Sequence, residues 1–453
     1  MGSLRVAALS PLLTVLALGC SSAQVDDTPV AVGGDAAAAG SAASPGQTAG
    51  SSAFAGNTST GPGGTTGSAG TTGIVPIGGS DGGGGSASVA GGAAGSPPAV
   101  QGIPAGYPQP TAANAAKCTK VPMTGGFCPG GGAGPVCMQC LFGGTMFGTS
   151  ETTPTAEGKM LAGNYLVTLK LGGDAAGQTF VSAESSRGLL ASTATAAGQS
   201  LDFGFVVNVR EMEGQPKHAG GPSGYPGLNL FFSGPSDTPP QVSAIGYALA
   251  GAETKPLMVY VAGDSTVCDQ SGNEFGGWAQ MLPQHFAAPV GISNYANSGA
   301  SSNFGFWNDI KDHWVAGDWV IIQFGHNDKN STDAQVQANL ERMVSDALAA
   351  KVTPILVSPP ARAQFDGAMV GNQSSLHAAA AAAAAASKKV AYIDLTKLST
   401  AWYNELGSKA EALKFHAHGT DATHTNLAGA DKLAALVAAD IRTQNLELAK
   451  YLR

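Results

Sequence analysis

The stretch "KPLMVYVAGDSTVCDQ", residues 255–270, decides the fold class, because it sets an apolar strand directly before a Gly-Asp-Ser turn. Other apolar runs follow, "WVIIQFG", "PILVS" and "VAYIDL", and they alternate with helical patterns such as "DAQVQANLERMVSDALAAK". Nearly continuous apolar strands between amphipathic helices are typical of a parallel sheet covered by helices on both faces. We therefore predict an α/β domain over residues 255–453.

Ligands of such a sheet bind beyond the carboxyl ends of its strands. Ser265 follows the first of these strands, Gly299 follows the short run "ISNYA", and Asn327 follows "WVIIQFG". Asp421 and His424 precede the last helical pattern, "NLAGADKLAALVAADI". The sequence thus gathers five candidate site residues at one edge of the predicted sheet.

Three of these residues match the needs of acyl transfer. A serine nucleophile requires a neutral imidazole, and the imidazole requires a carboxylate that holds its tautomer. Asp421 lies three positions before His424, so a short turn brings its carboxylate to imidazole Nδ1 while Nε2 faces Ser265. The backbone amides of Ser265 and Gly299 and the side-chain amide of Asn327 are candidate donors to the oxyanion.

Each of these signals has a structural alternative when it is taken alone, since a serine in a turn and an asparagine in a loop usually satisfy backbone groups. His416, His418, Asp421 and His424 also form a possible zinc cluster, but that interpretation leaves Gly-Asp-Ser and Gly-His-Asn-Asp without a role. We therefore expect His416 and His418 to be loop residues near the mouth of the site. A G-x-S-x-G elbow of the α/β-hydrolase type does not surround Ser265. A non-catalytic carbohydrate-binding protein on the same fold is a further alternative.

The order of the four blocks resembles the SGNH, or GDSL-like, hydrolases over about residues 255–445. Within that superfamily the chain is most similar to the rhamnogalacturonan acetylesterases of carbohydrate esterase family twelve. That likeness lies in four segments: "AGDSTV" at 262–267, "GGWAQMLPQHF" at 276–286, "FGHND" at 324–328 and "DATHTNLAGA" at 421–430.

The resemblance implies a flavodoxin-like, three-layer α/β/α domain and an esterase that needs no metal or other cofactor. It implies Ser265 as nucleophile, Asp421 and His424 as the rest of the triad, and Ser265, Gly299 and Asn327 as the oxyanion hole. The implied substrate is acetylated plant cell-wall polysaccharide, with rhamnogalacturonan favoured over acetylated xylan or a lipid ester. The loop "SPPARAQF" departs from the basic or aromatic-rich loop often found in the family, so Arg362 is only a candidate substrate contact.

The N-terminal region predicts export. Residues 1–20 have one basic residue, a short apolar run and a lipobox-like ending, so we expect a lipoprotein-type signal with lipidation at Cys20 and, failing that, a soluble secreted protein. Residues 21–117 consist mainly of Ala, Gly, Ser and Thr and predict a disordered tether on an outer-membrane or cell-surface lipoprotein. The net charge of −8 argues against nucleic acid as a partner.

Residues 118–250 predict a smaller accessory module. Its apolar segments partly alternate and are separated by Gly, Asp and Pro, which indicates a β-sandwich, either carbohydrate-binding or purely structural. Cys118, Cys128, Cys137 and Cys140 predict two disulfides with three possible connectivities, and a zinc knuckle is the alternative. The remaining Cys268 predicts a buried apolar side chain.

Overall fold

The computed structural model of the protein describes residues 102–121, 136–142, 162–210, 227–270 and 274–453. Two antiparallel sheets come first along these described residues. A short helix, α1 (Ala112–Ala115), precedes the first strand. The strands are β1 (Thr119–Val121), β2 (Val136–Phe142), β3 (Gly163–Gly172), β4 (Gly177–Ala183), β5 (Arg187–Thr195), β6 (Ser200–Val209), β7 (Leu228–Gly234) and β8 (Val242–Leu249). They form a five-stranded sheet of order β1-β2-β7-β4-β5 and a three-stranded sheet of order β6-β3-β8.

The two sheets pack as a sandwich around one apolar core. Val167 and Leu169 of β3, Leu190 of β5 and Leu230 of β7 are among its buried side chains. Alternate residues of a strand face opposite sides of the sheet, so Leu166, between two residues on β3 that face the core, points the other way. The predicted sandwich is confirmed, and its strand β3 is buried on both faces.

The boundary of the predicted tether is wrong at its C-terminal end. Residues 102–117 pack on the sandwich: Thr111 exchanges two backbone hydrogen bonds with Ile245, and Thr168 Oγ1 donates to the carbonyl of Pro108. These long-range bonds satisfy backbone groups that composition alone assigned to solvent. The predicted signal sequence, Cys20 and the rest of the predicted tether lie outside the described residues.

Cysteine pairing agrees with the disulfide interpretation. Cys118 and Cys140 are bonded to each other, and Cys137 is also disulfide-bonded. Cys128 lies outside the described residues. Cys268 is free and buried, as predicted.

A five-stranded parallel sheet organises the rest of the chain. Its strands are β9 (Leu257–Ala262), β10 (Val290–Asn294), β11 (Trp319–Ile322), β12 (Thr353–Val357) and, after a small hairpin of β13 (Phe365–Asp366) and β14 (Met369–Val370), β15 (Ala391–Ile393). The order β10-β9-β11-β12-β15 is the 2-1-3-4-5 order of flavodoxin-like sheets. The predicted α/β/α architecture is confirmed, and β9 lies between β10 and β11.

Helices cover both faces of this sheet. They are α2 (Trp278–Met281), α3 (Trp307–Lys311), α4 (Asp333–Ala349), α5 (Ala378–Lys388), α6 (Leu395–Glu405), α7 (Lys409–Leu413) and α8 (Leu427–Thr443). Helix α4 begins at a capping box, in which Thr332 and Gln335 each accept a hydrogen bond from the other's backbone amide. Helices α2, α6 and α8 pack on one face, whereas α3, α4 and α5 pack on the other. No helix among the described residues is long and apolar enough to cross a membrane.

The sandwich contributes to the second of these layers. Leu166 of β3 and Val206 of β6 belong to the apolar cluster that contains Met258 and Tyr260 of β9. The two modules therefore share buried surface, and β10 contacts β5 and β6 of the sandwich: Arg187 Nη1 donates to the carbonyl of Ile292, and Ser293 Oγ donates to Asn208 Oδ1.

Candidate active site

The loops that follow β9, β10 and β11 leave the sheet side by side. The amide of Asn297, after β10, donates to the carbonyl of Gly263 at 2.9 Å, and the amide of Gln323, after β11, donates to the carbonyl of Ala262 at 3.0 Å. Each neighbouring strand thus stays bonded to the end of β9 as its loop begins. Ser265 lies three residues beyond Ala262, in a turn closed by backbone bonds from Val267 and Cys268 to the carbonyl of Asp264.

A continuous hydrogen-bond chain connects Asp421, His424 and Ser265. Ser265 Oγ lies 2.9 Å from His424 Nε2, and His424 Nδ1 lies 2.8 Å from Asp421 Oδ2. The side chains of His424 and Asp421 are 32% and 29% exposed, whereas Ser265 is 7% exposed. The hydroxyl is therefore recessed, and the imidazole that contacts it reaches solvent.

Local backbone bonds fix the Asp421 carboxylate. Its Oδ1 accepts hydrogen bonds from the amides of Thr423, at 2.7 Å, and His424, at 3.0 Å. Partial burial by itself would raise the pKa of Asp421, but these amides and the His424 ring outweigh it, and the pKa lies below its ordinary value. The carboxylate is thus ionised at neutral pH and accepts the hydrogen on Nδ1.

Asp264, the acid that precedes Ser265 in sequence, makes its hydrogen bonds outside the series Asp421, His424 and Ser265. Its Oδ1 accepts hydrogen bonds from the amide and hydroxyl of Thr266, at 2.9 and 2.7 Å, and its Oδ2 accepts from Gln323 Nε2. Complete burial raises the pKa of Asp264 to about 6. Asp264 therefore shapes the turn that carries Ser265. Gly277 lets α2 begin against this turn, because a Cβ there would lie 2.2 Å from the carbonyl oxygen of Cys268.

Gly299 and Asn327 lie on the two neighbouring loops and are connected. Asn327 Nδ2 donates to the carbonyl of Ala300 at 2.9 Å, which uses one of its two hydrogens and leaves the second. Gly299 is exposed and has a φ of 78°, a conformation that favours glycine, with no atom within 4 Å of where a Cβ would stand. The buried carboxylate of Asp328 accepts from the amide and hydroxyl of Ser302, which joins the same two loops.

Arg362 joins the loop after β12 to the loop of the histidine. Its Nη1 donates to Thr423 Oγ1 at 2.7 Å and its Nη2 to the carbonyl of His326 at 3.4 Å. His326 is fully buried, and burial together with Arg362 lowers its pKa to about 3, so its imidazole is neutral. Arg362 thus braces the residue next to His424, and its contact with substrate stays a prediction.

The other histidines of the possible zinc cluster have separate partners. His416 is 1% exposed and its Nε2 lies 2.8 Å from the Tyr403 hydroxyl, so our expectation of a loop residue at the mouth of the site is wrong for it. His418 is half exposed, and its Nδ1 lies 2.7 Å from Glu274 Oε2. Within the described residues, no group of three or more His, Cys, Asp or Glu side chains is arranged to hold a metal ion.

Part of this chain is similar to proteins that are already known. The profile of the GDSL-like lipase/acylhydrolase family matches residues 261–432. An esterase of Bacillus subtilis, YxiM, is 31% identical over 203 residues, which cover 42% of this chain and 52% of that protein. A crystal structure of the YxiM protein matches 73% of this chain and 89% of its own chain at 26% identity, with a TM-score of 0.43.

Two relatives are matched over nearly their whole length. The probable rhamnogalacturonan acetylesterase YesY of B. subtilis is 31% identical over 42% of this chain and 94% of its own. The chain belongs to the GDSL-like lipase/acylhydrolase family. The rhamnogalacturonan acetylesterase RhgT of B. subtilis is 30% identical over 44% of this chain and 95% of its own. The GDSL-like domain is therefore a carboxylic ester hydrolase domain, as predicted.

Several residues around the site of this GDSL-like hydrolase escaped sequence reasoning. Phe275 packs edge-on against the rings of His424 and His418, with centroids 5.9 and 5.1 Å away, and forms part of the mouth of the site. Gln270 donates from Nε2 to the carbonyl of Ser265 at 2.8 Å. Asp328 could have been suspected from its place after Asn327 in "GHND", whereas Phe275 and Gln270 carry no local signal.

Proposed function

We propose that this protein is a serine acetylesterase that removes O-acetyl groups from rhamnogalacturonan. The hydrogen-bond chain from Asp421 through His424 to Ser265 carries the proposal, because it joins a recessed hydroxyl to an imidazole whose tautomer is held by an ionised carboxylate. The names of YesY and RhgT support the choice of polysaccharide.

In the first half of the proposed reaction, Ser265 Oγ attacks the acetyl carbonyl carbon and its proton passes to His424 Nε2. The negative charge that forms on the carbonyl oxygen is stabilised by the amides of Ser265 and Gly299 and by the free hydrogen on Asn327 Nδ2. The bond to the sugar oxygen then breaks, and that oxygen takes the proton from His424. The sugar hydroxyl leaves, and the acetyl group remains on Ser265.

Water completes the cycle. His424 Nε2 takes a proton from a water molecule, which attacks the acetyl carbon at the same oxyanion site. The bond to Ser265 Oγ breaks and the proton on His424 passes to that oxygen. Acetic acid leaves and gives up its remaining proton to solvent as acetate. Throughout, the Asp421 carboxylate stabilises the transient imidazolium without itself taking the proton.

The exposure of the site favours a polymeric substrate with a small acyl group. Ser265 is recessed, whereas Gly299 and His418, on two other loops, are exposed. An acetyl group on a polysaccharide projects far enough to meet a recessed hydroxyl, and the rest of the polymer stays outside.

The test compares acetate release from acetylated rhamnogalacturonan, acetylated xylan and acetylated homogalacturonan, with 4-nitrophenyl acetate as a small reporter. We expect the first polymer to be the best substrate, and Ser265→Ala to lower kcat on each active substrate at least about 10⁴-fold. Cys268→Ala is the matched control: burial raises the pKa of this thiol well above its ordinary value, so the variant should keep most of its activity. Activity surviving in Ser265→Ala would exclude the nucleophile, and a preference for xylan would reassign the substrate.

A further inference from the structure

The hairpin between β4 and β5 is buried against the GDSL-like domain. Glu184, Ser185, Ser186 and Arg187 are 2–4% exposed, although tips of hairpins ordinarily lie at the surface. Glu184 and Ser186 have φ values of 54° and 57°, which are uncommon for residues other than glycine and persist only where the surroundings fix them. We refer to residues 184–187 as the buried hairpin.

The sandwich itself fixes the shape of the buried hairpin. Glu184 Oε1 accepts from the amide of Asn229 in β7 at 2.9 Å, and its Oε2 accepts from the Asn229 side chain at 3.4 Å. The Glu184 amide in turn donates to the carbonyl of Asn229. The hairpin is therefore a rigid projection of the sandwich.

Arg187 reaches from this hairpin to the loop that carries Ser265. Its Nε lies 3.3 Å from Asp269 Oδ2, and the two side chains are 3% and 1% exposed. Its Nη1 and Nη2 donate to the carbonyls of Ile292, at 3.4 Å, and Asn208, at 2.7 Å. A buried ion pair costs much desolvation unless its hydrogen bonds are also satisfied, and removal of one partner leaves an uncompensated charge.

Asp269 connects Arg187 to the turn that carries Ser265. Its Oδ1 accepts from Asn294 Nδ2 at 2.9 Å, and the same Nδ2 donates to the carbonyl of Val267 at 2.9 Å. Arg210, also from the sandwich, lies 3.8 Å from Asp269 through its Nη2. Asp269 is four residues from Ser265, so its position determines where the turn ends.

A second path runs parallel to the first. Gln280 Nε2 donates to the carbonyl of Ser185 at 2.7 Å and to that of Gln270 at 3.0 Å. The Gln270 side chain then donates to the carbonyl of Ser265 at 2.8 Å, which holds the peptide plane that follows the nucleophile. Both paths begin on the buried hairpin and end on residues 265–270.

We propose that the β-sandwich is part of the frame of the active site and that Arg187 is a positioning residue, which holds Ser265 in reactive geometry through Asp269. The proposal rests on the proposed function, since it takes Ser265 as the nucleophile. The proposal also gives the sandwich a role that YesY and RhgT do not suggest. Less than half of this chain matches these two relatives, over almost their full length.

The test uses the full chain and measures kcat and KM for 4-nitrophenyl acetate, a substrate too small to need the sandwich for binding. We expect Arg187→Met to lower kcat about 10- to 100-fold at a temperature well below its own Tm, with KM changed less than about threefold, because small misplacements of reacting groups cost that much. Asp269→Asn should behave similarly. The double variant should be no slower than the slower single variant, because both changes break one coupled pair.

Two controls separate positioning from stability. Lys170→Met removes a cation from another ion pair of the sandwich, Lys170 with Asp202 at 2.7 Å, and should leave kcat and Tm unchanged. Leu171→Ala opens a cavity in the sandwich core, at the end of β3 away from Asn208, and should lower Tm without lowering kcat of the folded enzyme. If Arg187→Met does not fold, Gln280→Met tests the second path and should lower kcat about fivefold or more.

A folded Arg187→Met enzyme with a kcat within about twofold of wild type would overturn the positioning role. So would an equal loss of kcat in Leu171→Ala, because the effect would then be general loosening. An inactive wild-type protein would instead overturn the proposed function. The rate at which a fluorophosphonate labels Ser265 gives a second readout, which should fall in Arg187→Met in parallel with kcat.

Discussion

The two loops that supply the proposed triad are held in opposite ways. The nucleophile loop, residues 264–270, is nearly all buried and is held by the sandwich, directly by Arg187 and indirectly by Ser185 through Gln280. The histidine loop, residues 415–426, is more exposed around His424, and its key bond joins residues three positions apart. One loop depends on tertiary structure, and the other organises itself largely by local bonds.

This difference indicates which substitutions should disturb each loop of the site. In the histidine loop, the Asp421 carboxylate accepts hydrogen bonds from two backbone amides and one ring nitrogen of nearby residues. A single side chain therefore fixes most of the geometry of this loop. In the nucleophile loop, the restraint is divided between an ion pair and a chain of two glutamines. We therefore expect a single change at Asp421 to be more severe than a single change at any one residue that positions the nucleophile loop.

The most severe of these is Asp421→Asn. The amide keeps the shape of the carboxylate but favours the wrong imidazole tautomer, so kcat should fall about 10⁴-fold with little change in Tm. Steady-state kinetics on 4-nitrophenyl acetate measures the loss. Glu274→Gln is the matched control, since it also changes a carboxylate bonded to a histidine, His418, and it should stay within about twofold of wild type. An Asp421→Asn enzyme with a tenth of wild-type activity would remove this residue from the triad.

A smaller effect is expected where the histidine loop depends on a longer-range contact. Arg362→Met breaks the bond to Thr423 and should lower kcat about tenfold on both 4-nitrophenyl acetate and the polysaccharide. Thr423→Val breaks the same bond from the other side, so the double variant should lose no more than the worse single variant. Arg342→Met, an exposed change on α4, is the control. A loss confined to the polysaccharide would make Arg362 a substrate contact.

The smallest effect at neutral pH is expected at His416, which anchors the base of the histidine loop. Burial lowers the pKa of His416 to about 4, so the unfolded chain binds its proton more tightly than the folded protein does. Its contribution to stability is therefore full above pH 6.5 and is lost as the pH falls towards 4. When the pH falls from 7.5 to 5, the free energy of unfolding should decrease by about 1–2 kcal/mol more in wild type than in His416→Gln. The glutamine keeps an acceptor for the Tyr403 hydroxyl.

Urea unfolding at several pH values makes this measurement. Burial lowers the pKa of His326 to about 3, so this residue also makes the protein less stable as the pH falls. Asp264 acts in the opposite sense, since burial raises its pKa to about 6 and its contribution decreases as the pH rises through that value. Both groups are present in wild type and variant, so the difference between the two curves isolates His416. Parallel curves would mean that His416 does not titrate on unfolding.

Sequence analysis went furthest where the evidence was local or periodic. Apolar runs followed by turns located the five strands of the parallel sheet, and the three-residue spacing of Asp421 and His424 predicted the bond between them. The boundary at residue 117 failed because Thr111 pairs with Ile245, a partner 134 residues later. His416 was misplaced because nothing in "KFHAHGT", the residues around it in the sequence, indicates that its partner in space is the Tyr403 side chain.

The sequence by itself determined the α/β fold, the family and the candidate residues, since these follow from periodicity and from short motifs with fixed spacing. Only the tertiary structure decided that a hairpin of the sandwich lies buried beside the nucleophile loop. The physical reason is that arginine and aspartate usually lie at the surface, so the sequence alone does not indicate that Arg187 and Asp269 are buried. Their burial becomes favourable only because the fold brings opposite charges and accepting backbone carbonyls together from distant parts of the chain.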